Sequence, residues 1–205
     1  MTSEPGLRER KKAATRAALS HAAWTLMLEH GLDAATPEAI AEAAEVSART
    51  FRNYFASREE AIVDELAQRY LTLADKIRDR PAGEPVWDSL IEVLPSAVPE
   101  IVGDRAKLAA LMRVMTESPA LRAQLLLVTE HLSTVMAQVV AERTGTDADR
   151  ELAPRLLADT IGTAIGSSVG FWARSGTDAA LPDLIRDSLT QLRAGLPIGA
   201  VAPAA

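Results

Sequence analysis

The residues best suited to chemistry lie in one short run, Ser47-Ala48-Arg49-Thr50-Phe51-Arg52-Asn53-Tyr54. Arginine and asparagine offer the paired polar groups that make bidentate contacts with base edges, while the hydroxyls of Ser47, Thr50 and Tyr54 suit phosphate oxygens. At helical spacing Ala48, Arg49, Arg52 and Asn53 point outward together, with Thr50 and Tyr54 on the flanks and Phe51 on the opposite face. The chemistry implied is non-covalent reading of duplex DNA. Catalysis has no comparable support. His21, His30 and His131 lack metal-ligand spacing, and no glycine-rich phosphate loop or nucleophile elbow occurs. The chain has no cysteine, which excludes disulfides, thiolate metal sites and a cysteine nucleophile. The expectation is a protein that is not an enzyme, with no metal and no cofactor.

Such a run must be held by neighbouring elements. Leu7–His30 has apolar residues at three- and four-residue steps and a stop at Gly31, which predicts a first helix. Thr36 is a good N-cap and Pro37 suits the first helical position, so a short second helix spans 37–44. The three residues Glu45-Val46-Ser47 break it, and Ser47 caps a third helix over 48–54. Ser57 with Glu60 has capping-box spacing and opens a long fourth helix to about Arg78. Two short helices with a tight turn have the form that lays the second in a major groove and braces the first across the backbone. Ile40, Ala41, Ala44, Val46, Phe51 and Phe55 supply its apolar underside. The helix starts at Thr36 and Ser57 also suit phosphates, with Arg58 beside the latter.

Beyond the proline- and charge-rich stretch 78–85, the pattern predicts helices over 86–97, 99–117, 119–144, 149–175 and 178–194, and no strand. The fold class expected is all-α, with one small N-terminal domain and a larger helical one. No leader sequence and no membrane span is expected, and together with the lack of cysteine this points to the cytoplasm.

The net charge of −6 looks unfavourable for a DNA partner, but it is unevenly spread. Residues 1–58 hold eight Lys/Arg against seven acids, net +1, while residues 59–205 hold fourteen against twenty-one, net −7. Global charge describes solubility and the overall field, and does not decide whether one face is locally basic.

The segment "TPEAIAEAAEVSARTFRNYFASREEAI", preceded by "RAALSHAAWTLMLEHGLDAA", resembles the tetracycline-repressor (TetR) family of bacterial transcriptional regulators over about residues 10–70. The resemblance implies a three-helix DNA-binding domain in residues 1–58, with its helix-turn-helix over 36–55. It implies DNA contacts from Thr36, Ser47, Ala48, Arg49, Thr50, Arg52, Asn53, Tyr54 and Arg58, and further phosphate or minor-groove contacts from the basic arm Arg8–Arg16. The departure is Glu45. Family members usually carry glycine there, because the residue takes a positive φ, which costs a non-glycine on the order of 1 kcal/mol. Its carboxylate would repel phosphate unless it pairs with Arg49 or Arg52 or points away.

The linker and the ending "GFWARSGTDAALPDLIRDSLTQLRAGL" resemble the branch typified by the mycofactocin-system regulator. That implies an effector-binding and dimerisation domain over 59–195, sensing acyl-coenzyme A-like ligands, with a flexible tail over 196–205. Candidate ligand-binding residues are Trp87, Met112, Arg113, Met115, His131, Phe171 and Trp172. Methionines and aromatics line adaptable apolar pockets and an arginine can hold a carboxylate or phosphate, but each also suits ordinary core or surface roles. Ala158, Gly162, Gly166 and Gly170 recur every four residues. Glycine within a helix costs roughly 0.5–1 kcal/mol relative to alanine, so the stripe calls for a compensating close approach. A partner subunit, an intrachain crossing and a pocket wall all meet that need; the family's dimerisation through its last two helices favours the first. The function implied is a homodimeric regulator, a repressor released from a palindromic operator by a small apolar or acyl-type ligand. The alternative is a ligand-binding or scaffold protein of the same fold that has lost specific DNA binding.

Overall fold

The structure, a computed structural model, describes residues 6–196, so all but Leu196 of the expected tail lies outside the described residues. Among them are nine α-helices and no strand: α1 Leu7–His30, α2 Pro37–Ala43, α3 Ala48–Tyr54, α4 Arg58–Arg78, α5 Val86–Val102, α6 Arg105–Glu117, α7 Pro119–Thr144, α8 Leu152–Arg174 and α9 Leu181–Arg193. A single 3-10 turn, Leu32–Ala34, follows α1. The all-α class expected from the sequence is what folds.

The chain divides into two compact units, one formed by residues 1–71 and 104–132, the other by 72–103 and 133–205. The first buries Leu19, Ala23, Met27, Ile40, Phe51, Phe55, Ile62, Val114 and Leu121 in one apolar cluster. Phe51, on the inward face of α3, and Phe55, just past its end, tilt against each other at 5.8 Å between centroids. The second unit packs α9 against α5 and α8, with Ile185 and Leu189 fully buried on α9 and Leu90 and Leu94 on α5. In this unit Arg143, near the end of α7, spreads its guanidinium over five backbone carbonyls. Nη1 donates to Ile77, Arg78 and Arg80 at 3.3, 3.5 and 2.9 Å, and Nη2 to Pro81 and Glu84 at 2.9 and 3.1 Å. The unpaired carbonyls at the end of α4 and through the proline-rich connection thus find a partner, as helix ends require.

The expected boundaries moved most between the fifth and sixth helices. The helix predicted to end at residue 97 runs to Val102, through Pro95 and Pro99. Each proline removes an N–H from the ladder, and the burial of Val98 and Ile101 on the continuing helix offsets the loss. The break falls instead at Gly103, φ 75°, and α6 begins after Asp104, which accepts from Lys107 N at 2.8 Å. By length and composition alone α7 is apolar enough to cross a membrane, a test that core helices of soluble proteins also pass.

Candidate nucleic-acid interface

The site is built by caps. Thr36 accepts a hydrogen bond from Ala39 N at 3.2 Å and starts α2; Ser47 accepts from Thr50 N at 3.1 Å and starts α3. Ser57 accepts from Glu60 N at 3.1 Å while Glu60 Oε2 accepts from Ala56 N at 2.8 Å, so α4 is capped in both directions. At the end of α2, Glu45 N donates to Glu42 O at 3.0 Å and Val46 N to Ala41 O at 2.9 Å. That pair of bonds is a Schellman motif with Glu45 at its left-handed position, φ 55°. The glutamate therefore takes the conformation that glycine adopts most easily.

The turn sets α3 so that Phe51 is buried while Arg49, Arg52 and Asn53 are exposed on the opposite face. Ala48, Thr50 and Tyr54 are half-buried at the flanks. Among the described residues the Arg49 and Asn53 side chains have no hydrogen-bond or ion-pair partner, whereas Arg52 Nη1 lies 3.5 Å from Glu38 on α2. The Glu45 carboxylate is exposed and pairs with neither arginine. Arg58 is committed within the chain: Nη1 donates to the Leu32 carbonyl at 2.8 Å and Nε to Glu59 at 3.1 Å. Ahead of the motif, the side chains of Arg8, Arg10, Lys11 and Lys12 are exposed on the first turns of α1 without partners among the described residues. The last member of that arm, Arg16, instead makes two bonds to Asp64. Sequence reasoning grouped it with the arm, because nothing in the spacing of residues 16 and 64 signals a contact across 48 positions.

The residues proposed for effector binding divide between the two units. Met112, Arg113 and His131 are exposed and Met115 is half-buried beside the apolar cluster of the first unit. Trp87 and Trp172 are half-buried in the second unit, where Phe171 is 53% exposed. Along α8, Ala158 is buried within the chain, while Gly162 and Gly166 are exposed with nothing within 4 Å of where a Cβ would stand. Gly170 differs, because the Arg174 guanidinium folds over it at 3.1 Å.

Two capped helices joined by the four residues 44–47, with the polar face of the second exposed and its aromatic face buried, form a helix-turn-helix. Residues 19–65 match the family described as bacterial regulatory proteins of the tetR family, and residues 84–197 match the MftR C-terminal domain. The chain is 32% identical over 202 residues to the HTH-type transcriptional regulator TcmR of Streptomyces glaucescens, covering 92% of this chain and 87% of that protein. Among solved structures it is similar in fold to Thermus thermophilus FadR, a TetR-family transcriptional repressor in complex with lauroyl-CoA. That likeness has a TM-score of 0.64 at 22% identity, over 93% of this chain and 98% of that one. The fatty acid degradation regulator FadR from Bacillus halodurans follows with a TM-score of 0.61 at 19% identity, over 95% and 98%. The chain belongs to the TetR family: it is a transcriptional regulator with an N-terminal DNA-binding domain, and not an enzyme.

Proposed function

We propose that the protein is a homodimeric cytoplasmic repressor that reads a palindromic operator with α3 and leaves it on binding an apolar or acyl-type ligand. The observation that carries the reading is the outer face of α3, where Arg49 and Asn53 are exposed and unpartnered among the described residues. Long polar side chains left without partners beside a buried aromatic face are poised for base edges. Ser47, Thr50, Tyr54 and the unpaired cations at the start of α1 supply phosphate contacts, and Thr36 and Arg58 border them. The MftR C-terminal match and the lauroyl-CoA complex of the Thermus thermophilus relative support an acyl-coenzyme A-like effector. The open glycines of α8 support a dimer contact through that helix. Two heads related by a two-fold axis read half-sites one helical turn apart, about 34–36 Å. Effector acts only by binding the DNA-incompetent state more tightly.

The test is fluorescence anisotropy on a duplex enriched by the protein from a random pool, beside a scrambled duplex, over a salt series and with lauroyl-CoA or free coenzyme A added. Salt-sensitive preference for the enriched duplex, abolished by lauroyl-CoA alone, is expected. In that assay Arg49→Ala should cost about 1–3 kcal/mol on the enriched duplex and relax preference at one base position. A second reading, loss of specific DNA binding, is favoured by the unpaired Glu45 carboxylate at the turn; equal affinity for both duplexes would establish it.

A further inference from the structure

We infer that Arg16, Asp64 and Ser20 form a brace that fixes the direction of α3, making Arg16 a positioning residue for DNA reading rather than a phosphate contact. The inference rests on the reading of α3 as the DNA-contacting helix. Arg16 stands on α1, and its Nε and Nη2 both donate to Asp64 Oδ1 on α4, at 3.0 and 2.7 Å. The other carboxylate oxygen, Oδ2, accepts from the Ser20 hydroxyl at 2.6 Å, and Ser20 is fully buried. Nη1 donates to the Tyr54 carbonyl at 3.3 Å, and the guanidinium carbon lies 4.4 Å from the centroid of the buried Phe55 ring. Glu60 is more distant, at 4.0 Å. One side chain therefore joins α1, α4 and the last turn of α3.

The physical need is specific. A helix of seven residues is too short to hold its own direction by local bonds, and its last carbonyls have no intrahelical N–H to accept from. Ser47 fixes the start of α3, and Arg16 takes the Tyr54 carbonyl at its end. Phe55 leaves the helix in extended conformation and places its ring beneath the same guanidinium. To reach a phosphate, Arg16 would have to abandon two charge-assisted bonds to a carboxylate whose side chain is only 11% exposed. The exposed Arg8, Arg10, Lys11 and Lys12 face no such competition. Because Asp64 belongs to α4, any displacement of that part of α4 pulls on Arg16 and so on the end of the reading helix.

Asp64→Asn separates the two roles because they predict opposite signs. It keeps the positive charge of Arg16 and weakens its tether. A brace requires that affinity for the enriched duplex fall about tenfold, with the scrambled duplex changed less than about twofold and the salt slope intact. A phosphate contact held back by Asp64 requires that both duplexes bind more tightly and the slope steepen. Arg16→Lys preserves the charge but not the planar fork that spans Asp64 and the Tyr54 carbonyl, so it should lose the enriched duplex by a similar factor. Ser20→Ala removes one bond to Asp64 and is the milder variant should Asp64→Asn not fold; about threefold loss on the enriched duplex alone is expected. All are compared at equal folded fraction by circular dichroism. Tightening on both duplexes, or equal loss on both, overturns the brace. A wild-type chain that enriches no sequence overturns the DNA reading of α3 itself, which is a different result.

Discussion

Replacing Glu45 separates strain from charge at the turn of the motif. The residue holds φ 55° at the left-handed position of the Schellman motif, where its two backbone bonds close at 3.0 and 2.9 Å. An L-residue in that conformation costs about 1–2 kcal/mol, against about 0.5–1 kcal/mol for the extra chain entropy a glycine loses on folding. The net gain expected for Glu45→Gly is about 0.5–1 kcal/mol, which for a chain of this size raises Tm by about 1–4 °C. Glu45→Gln keeps the strain and removes only the charge, so its Tm should not rise.

The charge acts on DNA alone. The carboxylate is exposed and unpaired among the described residues, beside a helix whose face presents Arg49 and Asn53. A unit charge about 8 Å from a phosphate in water interacts by about 0.5 kcal/mol before screening, roughly twofold in affinity, and salt near 0.15 M removes most of it. Both variants should therefore bind the enriched duplex about two- to threefold more tightly at low salt and converge on wild type at high salt. Anisotropy over a salt series, with a thermal melt of each variant, reads both quantities. The reasoning is refuted if Glu45→Gln binds no better at low salt, since the carboxylate would then point away from the duplex. It also fails if Glu45→Gly lowers Tm, since the turn would then draw on the glutamate side chain.

Other expectations follow from single contacts. Arg143→Met leaves five carbonyls without their donor and should cost about 2–4 kcal/mol, seen as a Tm lower by about 5–12 °C; a change within a degree would mean that water replaces the guanidinium. Glu84 is held at a pKa of about 2, below its ordinary 4.5, first by the Arg80 hydrogen bond and next by that from Ser89. Because the folded value is the lower one, this stabilisation is full above pH 4.5 and is lost as pH falls toward 2; denaturant titrations of Glu84→Gln should be flatter than wild type across that window. At Gly166 an added Cβ has nothing within 4 Å and Gly166→Leu improves helix propensity, so the subunit should fold and sediment as a monomer; a dimer of unchanged mass would remove α8 from the interface.

The fold was legible where local chemistry decides it. Thr36, Ser47 and Ser57 mark helix starts because a short hydroxyl side chain is the simplest partner for an orphan N–H, and each makes the bond its position foretells. The exposed face of α3 was legible for the same reason, since Phe51 and Phe55 at a spacing of four fix which side is buried. Pro99 misled because proline reports a local preference, and the burial of Val98 and Ile101 outweighed it. Arg16 and Arg143 were not legible at all. Their partners lie 48 and about 60 positions away, and a single arginine has the same composition signal whether it meets solvent, phosphate or a carbonyl.

That last ambiguity bears on how an acidic chain can meet DNA. Counting cations in residues 1–58 gives a near-neutral domain, but the count mixes two populations. Arg16 and Arg58 are spent on Asp64, Tyr54, Leu32 and Glu59, and Arg52 is shared with Glu38. Arg8, Arg10, Lys11, Lys12 and Arg49 remain open among the described residues. The acids Asp64 and Glu59, just beyond that count, are consumed by the same pairs, so they neutralise half-buried cations rather than the surface α3 presents. If phosphate contacts come from the five open cations, removing one of Lys11 or Lys12 should reduce the salt slope by about one and weaken all duplexes alike. An unchanged slope would show that the arm stays off the duplex, leaving α3 to bind with Arg49 as its main open cation.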